Sequence, residues 1–258
     1  MSLKLFDRVS GIFLSFNPEK QKQMPPEKHR IMKHAGLLLA WTIFLTVQGA
    51  GQSFRMAGKI RCYQTKKSIS AKVSFEKQPD AAMTFVSHSG EEGYSATIAR
   101  PGTYLLKASM PGYLPEFHEL NLDHDSLRGK DAYKYDFSLI PITLNQILPF
   151  RNIIFDPSSA ALSRMAQPEL YLLAEILREN PGISIRLEGH TDNIGKSRSS
   201  ISLAKKRIKA VKKFLLGQAI QADRIELKAF GGGNPLFKTG TPEAHQANRR
   251  VEIRIIDM

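Results

Sequence analysis

The spacing of apolar residues divides the chain into three regions. Residues 36–47 form an uncharged apolar run, GLLLAWTIFLTV. Residues 53–140 contain short runs in which apolar and polar residues alternate, separated by Gly, Pro, Asp and Ser. Such alternation is typical of half-buried β-strands, and two packed antiparallel sheets bury every second residue of each strand. We therefore predict an antiparallel β-sandwich over residues 53–140.

The pattern changes at residue 144, after which helical and strand periods follow one another. Helical spacing covers residues 162–178 and 199–216, and strand patterns cover residues 147–155, 183–187, 224–230 and 250–256. This β-α-β-α-β-β order predicts a mixed sheet with helices packed on one face. We expect an α+β chain whose second domain spans residues 144–258.

The apolar run near the N-terminus has 12 residues, whereas about 20 are needed to cross a bilayer. It is followed by Gly49, Ala50 and Gly51 and preceded by the basic segment 32–34, the order expected of a signal peptide. We expect residues 1–51 to be an N-terminal extension with a signal that is cleaved near Gln52. An uncleaved membrane anchor over residues 36–50 remains the alternative.

The net charge of +13 indicates an acidic partner. Residues 141–258 hold 18 lysines and arginines against 11 aspartates and glutamates, a net charge of +7. The chain has no zinc-finger spacing and no aromatic RNA-binding signature, so no nucleic acid is expected as a partner. It also has no nucleophile elbow, no HExxH and no phosphate loop, so we expect neither catalysis nor a cofactor.

A single cysteine, Cys62, excludes an intramolecular disulfide and a cysteine-based metal site. Glu188, His190 and Asp192 could share one strand face, but no further residue is spaced to complete a metal site. No metal is expected.

An acidic and a basic residue mark the chemistry of the C-terminal region. The segment 187–192, LEGHTD, closes a strand with Asp192, and Arg207 lies 15 positions further on a basic helix. At about 100° per residue Arg207 falls on the flank of the apolar helix stripe, at the boundary between core and cleft. A carboxylate and a guanidinium together can hold a zwitterion. The alternatives are a turn residue at Asp192 and a rim arginine at Arg207.

With a third motif at 248–253, NRRVEI, these segments resemble the OmpA-like C-terminal domain family over about residues 144–258. The resemblance implies that Asp192 binds the ammonium and Arg207 the carboxylate of meso-diaminopimelate in the peptidoglycan stem peptide. It also implies supporting roles for Asp156, Ser158, Thr191, Asn193, Ser200 and Arg249. Ser158 and Ser200 stand where the family usually has asparagine.

The resemblance implies a non-catalytic cell-envelope protein that binds peptidoglycan in the periplasm, associated with the cell wall and outer membrane. The alternative is a single-span membrane transport component similar to the flagellar stator protein that places one membrane helix before such a domain. That family's membrane helix carries an ion-binding aspartate, whereas residues 36–50 contain no acid. Residues 53–140 resemble carboxypeptidase-regulatory and transthyretin-like β-sandwiches through glycine-tyrosine turns, and we expect a spacer or a docking module for other envelope proteins. The oligomeric state is left open.

Overall fold

The chain has a mixed α+β architecture in which the helices of the described residues follow the β-rich region. The computed structural model describes residues 53–79, 82–88, 90, 92–99, 102–123, 127, 129–151, 153–192, 197–238 and 240–258. Within this part of the chain no helix is both long and apolar enough to cross a membrane. The predicted signal segment lies outside the described residues.

Ten strands form the first region. They are β1 (Ser53–Gly58), β2 (Ile60–Cys62), β3 (Lys72–Lys77), β4 (Ala82–His88), β5 (Tyr94–Ala99), β6 (Thr103–Ser109), β7 (Tyr113–Leu114), β8 (Glu116–Asn121), β9 (Ala132–Lys134) and β10 (Phe137–Pro141). Their sheets have the orders β4-β3-β6-β8, β5-β1-β9 and β2-β10-β7.

One buried cluster joins these sheets. Phe54 and Met56 of β1, Phe75 of β3, Leu106 of β6 and Phe137 of β10 all belong to it, and each is almost fully buried. In β1 the buried Phe54 and Met56 alternate with more exposed neighbours, the pattern from which strands were predicted. The β-sandwich itself stays a prediction.

The prediction that this region is antiparallel is wrong for two strand pairs. β1 pairs with β9 in parallel, and β2 pairs with β10 in parallel. Parallel neighbours need a long connection between them, and the intervening strands supply it here. Alternation within a strand cannot reveal the direction of its neighbour, because both pairings have the same period.

The C-terminal region contains four strands and three helices. They are β11 (Ile147–Leu148), α1 (Ala166–Glu179), β12 (Ser184–His190), α2 (Arg198–Gly217), β13 (Ile225–Gly231), α3 (Pro242–Asn248) and β14 (Val251–Asp257). The sheet order is β11-β14-β12-β13, with β12 parallel to β13 and antiparallel to β14. The predicted mixed sheet is therefore present.

Two parts of this region differ from the sequence prediction. The strand expected over residues 147–155 is reduced to β11 and one bridge at Ile154, because Pro149 has no amide hydrogen to donate to the ladder. Helix α3 was not predicted. Its signal was present, since Thr241 caps the helix by accepting from the Ala244 amide and Pro242 occupies the first turn.

The two faces of β12 have different partners. Ile185 and Leu187 belong to the buried cluster that α1 and α2 complete. Arg186 and Glu188 alternate with these apolar residues along the strand. Oε1 of Glu188 accepts from Nε of Arg254 on β14 at 2.8 Å. The larger helices thus cover the apolar face, while the opposite face is charged.

Gly189 permits the close approach of α2 to β12. A methyl group added there would lie 2.8 Å from the Ala204 carbonyl oxygen and from Cγ2 of Ile208. Such distances are well below van der Waals contact, so a larger residue would force the helix away from the strand.

The two regions also share a core. Leu105, Leu114 and Phe117 of the β-rich region belong to the same buried cluster as α1. At its edge the amide of Gly112 donates to Oδ1 of Asn180 at 2.5 Å. The boundary between the predicted domains is therefore crossed by buried apolar contacts.

We expect Gly189→Ala to lower the free energy of unfolding by about 1–3 kcal/mol, because the added methyl group overpacks the β12–α2 contact. Gly217→Ala is the matched control, since a methyl group there has no neighbour within 4 Å. Chemical denaturation of both variants checks this. A Gly189→Ala protein as stable as Gly217→Ala would contradict the close packing.

We expect a fragment of residues 144–258 to unfold in one cooperative transition, at a lower temperature than residues 53–258. The fragment keeps both large helices but loses the apolar contacts from β6, β7 and β8, and lost burial lowers stability. Calorimetry measures both midpoints. Equal midpoints would show that these contacts do not stabilise the C-terminal region, and the absence of a transition would show that it cannot fold alone.

Candidate functional site

Arg207 lies at the centre of the predicted site and is completely buried, with 0% of its surface exposed. Its Nε donates to the Ser159 carbonyl at 2.9 Å, and Nη2 donates to the Asp156 carbonyl at 3.0 Å. Nη1 donates to the His190 carbonyl at 3.2 Å. The guanidinium also lies 5.1 Å from the ring centre of Phe155. One side chain of α2 therefore joins the 155–159 loop to the end of β12.

This burial is deeper than the boundary position predicted from the helix period. The apolar stripe itself is confirmed, since Ala204, Ile208, Val211 and Leu215 are buried. Arg207 lies beside them because three carbonyl groups take the place of water around its charge. Burial lowers the pKa of Arg207 to about 10, a change that nearby Asp192 opposes. The guanidinium therefore stays charged at neutral pH.

Asp192 lies at the edge of the same site and is partly open to solvent. Its Oδ2 accepts from Nη1 of Arg249 at 3.0 Å and lies 3.8 Å from Nδ1 of His245. Its Oδ1 accepts no hydrogen bond from the described residues. A carboxylate oxygen held in place but without a donor can accept one from a ligand ammonium.

Helix α3 and the residue after it supply the partners of Asp192. Arg249 follows the helix, and its Nε donates to the Phe155 carbonyl at 3.1 Å. The loop before the helix is held by Asn248, whose side chain bonds the backbone of Leu236 and Phe237. The sequence prediction placed only the last strand, residues 250–256, in this segment and no helix before it. Because Arg249 lies at the helix end instead, it reaches Asp192.

His245 is a site residue that the sequence prediction missed. It lies in the last turn of α3, three residues before the NRRVEI segment. The Thr-Pro-Glu sequence at 241–243 signals this helix. Residues four apart lie side by side on a helix, so a helix predicted to end at Asn248 would have placed His245 next to Arg249.

The two predicted residues of the first loop contribute in different ways. Asp156 is exposed, and its backbone carbonyl accepts from Arg207. Ser158 is also exposed and has a φ of 56°, in the left-handed region. Asparagine occupies that region more readily than serine. The serine is therefore less suited to this turn than the asparagine usual in the resembled family.

The remaining supporting residues are placed unequally. Thr191 is buried, and its amide donates to the Gly231 carbonyl at 2.9 Å. Its hydroxyl has no hydrogen-bond partner within the described part of the chain. Ser200 uses its hydroxyl within the first turn of α2, donating to the Ser197 carbonyl at 2.9 Å. Asn193 lies outside the described residues.

On the charged face of the sheet, His190 is buried without a hydrogen bond to either ring nitrogen in the described structure. Its ring stacks on Phe230 with centres 5.2 Å apart. Burial lowers the pKa of His190 to about 4, with a further lowering by Arg250 that Glu252 and Glu188 oppose. The imidazole is therefore neutral at pH 7.

Glu188, His190 and Glu252 have ligand atoms within 4.8 Å of one another, close enough for a metal ion. Asp192, expected on this face, lies instead beside Arg249. Burial raises the pKa of Glu188, but hydrogen bonds from Arg254 and Arg186 outweigh it and the net pKa is lowered. Three guanidiniums bind the two carboxylates, as Arg250 also bonds Glu252 at 2.8 Å. A cation would have to displace these bonds, so the arrangement favours an internal ion network.

Comparison with known families identifies one domain in the C-terminal region. Residues 154–249 match the model of the OmpA family, so the chain contains an OmpA family domain. That range includes Asp156, Asp192, Arg207 and Arg249. The resemblance proposed for about 144–258 is thereby confirmed for this domain.

Individual relatives cover only part of the chain. The chain is 34% identical over 144 residues to the probable lipoprotein YiaD of Escherichia coli K12, covering 56% of this chain and 64% of that protein. It is 33% identical over 101 residues to the peptidoglycan-binding protein ArfA of Mycobacterium tuberculosis, covering 39% and 31%. The chain thus spans less than two thirds of these curated relatives. The peptidoglycan-associated lipoprotein of Burkholderia pseudomallei has 24% identity, a TM-score of 0.38, and coverage of 42% and 91%.

We expect the free energy of unfolding to fall as pH drops from 6.5 toward 4, in part because of His190. The unfolded chain protonates this histidine below about pH 6.5, whereas the folded protein resists protonation until about pH 4. The contribution is present above pH 6.5 and is lost through this window, amounting to roughly 2–3 kcal/mol. Denaturation of wild type and His190→Phe at several pH values measures it.

Carboxylates also titrate in this pH range. The difference in the free energy of unfolding between wild type and His190→Phe separates the contribution of His190 from theirs. If the free energy of unfolding changed with pH in the same way for wild type and for His190→Phe, His190 would not be a source of the pH dependence.

Proposed function

We propose that the chain is a non-catalytic cell-envelope protein that binds peptidoglycan non-covalently through the diaminopimelate of the stem peptide. The observation that carries the proposal is the Asp192 carboxylate, which is 22% exposed, is fixed through Oδ2 and has no donor to Oδ1 among the described residues. Two guanidiniums, those of Arg207 and Arg249, lie beside it. A zwitterion with an ammonium and a carboxylate matches these charges.

Asp192 is proposed to bind the ammonium group. Arg249 and His245 hold its Oδ2, so the carboxylate keeps one orientation before a ligand arrives. This reduces the conformational entropy lost on binding. Each charge-assisted hydrogen bond contributes about 1.5–3 kcal/mol.

The ligand carboxylate is proposed to lie between Arg207 and Arg249. Arg207 has five N–H donors, and the described residues accept three hydrogen bonds from them. The other two N–H groups form no hydrogen bond with the described residues, and a ligand carboxylate can reach them only if the packing over this buried side chain opens. Arg249 is more exposed and presents a second charge to the same group. Two or three such bonds contribute about 3–9 kcal/mol before the entropy of binding is subtracted, so we expect reversible binding, in the micromolar range at the tightest.

Similarity to named relatives supports peptidoglycan as the ligand. One relative is named as a peptidoglycan-binding protein, and another as a probable lipoprotein. A third, Omp38 of Acinetobacter baumannii, is an outer membrane protein that is 32% identical over 100 residues. We propose that this chain is exported and acts in the periplasm, next to the wall and the outer membrane. We assign wall binding to residues 144–258 and a spacer or docking role to the β-sandwich of residues 53–140.

We expect Asp192→Asn to weaken binding to purified diaminopimelate-type peptidoglycan at least tenfold, because the amide cannot balance the ammonium charge. Arg249→Gln is expected to weaken it by a similar factor. The double variant should lose less than the sum of the two free-energy changes, because both residues act on one ligand. Co-sedimentation with wall sacculi at several protein concentrations measures binding.

Asp223→Asn is the matched control, because Asp223 is an exposed carboxylate in a turn after α2. Arg207→Lys is a poorer probe, since the single nitrogen of lysine cannot replace the three nitrogens that donate to separate carbonyls, and the variant is expected to unfold more easily. Thermal midpoints close to that of wild type are required for any loss to count as a binding effect. Unchanged wall binding by a stably folded Asp192→Asn protein would leave Asp192 as a structural turn residue only.

A further inference from the structure

Helix α2 presents an unbroken basic arc to solvent on the side away from the core. The exposed residues of its arc are Arg198, Ser202, Lys205, Lys206, Lys209, Lys213 and Leu216. The whole helix, Arg198–Gly217, contains no aspartate or glutamate. At about 100° per residue the arc is centred roughly 160° from the buried face that holds Arg207.

The four lysines of this arc, which we call the lysine stripe (Lys205, Lys206, Lys209 and Lys213), form no ion pair with the described residues. A fifth lysine of the helix, Lys212, instead donates to the carbonyls of Ala222 and Ile225 at 2.9 and 2.8 Å. Positions three and four apart lie side by side on a helix, so the charges of the stripe repel one another. An external anionic partner would relieve this repulsion.

The stripe ends in an exposed apolar residue. Leu216 is 42% exposed and falls within the same arc, one turn beyond Lys213. Lysines with an apolar side chain on the same exposed arc suit the surface of a lipid leaflet, where phosphates meet the acyl region. A soluble polyanion would gain nothing from the leucine.

The geometry separates the stripe from the proposed wall site. Asp192 and Arg207 lie on the side of α2 that packs against β12 and the 155–159 loop. A stem peptide bound there cannot reach the lysines across the helix, which is about 10–12 Å in diameter. A partner of the stripe would therefore bind independently of a partner of the site.

We propose that the lysine stripe and Leu216 bind the anionic phosphate headgroups of a membrane leaflet. The stripe is about 12 Å long, from residue 205 to residue 213, and can contact several headgroups at once. The attraction is electrostatic and reversible, with each lysine contributing about a fivefold factor in affinity. The chain can then contact a lipid surface with one side of α2 while the other side remains free for its site.

The test uses residues 53–258, which contain every member of both buried clusters and exclude the apolar run at 36–47. Binding is measured by co-sedimentation with vesicles of phosphatidylcholine alone or mixed with phosphatidylglycerol. Wild type should bind only the mixed vesicles, and binding should weaken as salt rises. Replacing the four lysines of the stripe with glutamine should lower the affinity by about a hundredfold or more.

The matched control replaces Lys59, Lys67, Lys72 and Lys134 with glutamine, removing the same charge from exposed positions of the β-rich region. It should retain most of the vesicle binding. Leu216→Ser should weaken binding to vesicles but not to soluble polyphosphate. Asp192→Asn should bind vesicles normally, so failure of the wall site and failure of the stripe give different results.

Two results would overturn the proposal. The first is that wild type leaves mixed vesicles unbound, and the second is that the quadruple glutamine variant binds them as tightly as wild type does. If that variant also loses wall binding, the stripe belongs to the wall polymer.

Discussion

The C-terminal site depends on the burial of one positive charge. Arg207 is removed from water and donates to three carbonyl groups from two separate segments of the chain. An uncompensated buried charge would cost several kcal/mol, and the three hydrogen bonds offset that cost. The same bonds fix the 155–159 loop against the end of β12. The shape of the site is thus a consequence of satisfying Arg207.

Two neighbouring features make that burial possible. Gly189 has no side chain, so α2 approaches β12 closely enough for Arg207 to reach the His190 carbonyl. Arg249 then ties the Phe155 carbonyl to Asp192 from the other direction. Arg207 is therefore mainly a positioning group in the free protein, while Asp192 and Arg249 are the charges nearest to solvent. A ligand carboxylate would meet Arg249 first and complete its contacts at Arg207.

The sequence predicted the two larger helices and the mixed sheet because each follows from local periodicity. The role of Asp192 and Arg207 as a ligand-binding pair, which came from a motif, stays a prediction. The buried stripe of α2 follows from spacings of three and four, and its exposed lysines from the same count. Tertiary features were harder to predict. The pairing of Asp192 with Arg249 joins residues 57 positions apart, and the parallel pairing of β1 with β9 leaves no trace in either strand. Pro149 and the Thr-Pro-Glu segment were readable signals that periodicity alone does not detect.

Calorimetric titration with two soluble muropeptides tests the central claim most directly. One carries meso-diaminopimelate at the third stem position, and the other carries L-lysine, which has the ammonium but not the additional carboxylate. If Asp192 and the two guanidiniums hold a zwitterion, the diaminopimelate form should bind in the micromolar range and the lysine form at least about tenfold more weakly. Equal affinities would contradict the account, because the guanidiniums would then have no ligand group to bind.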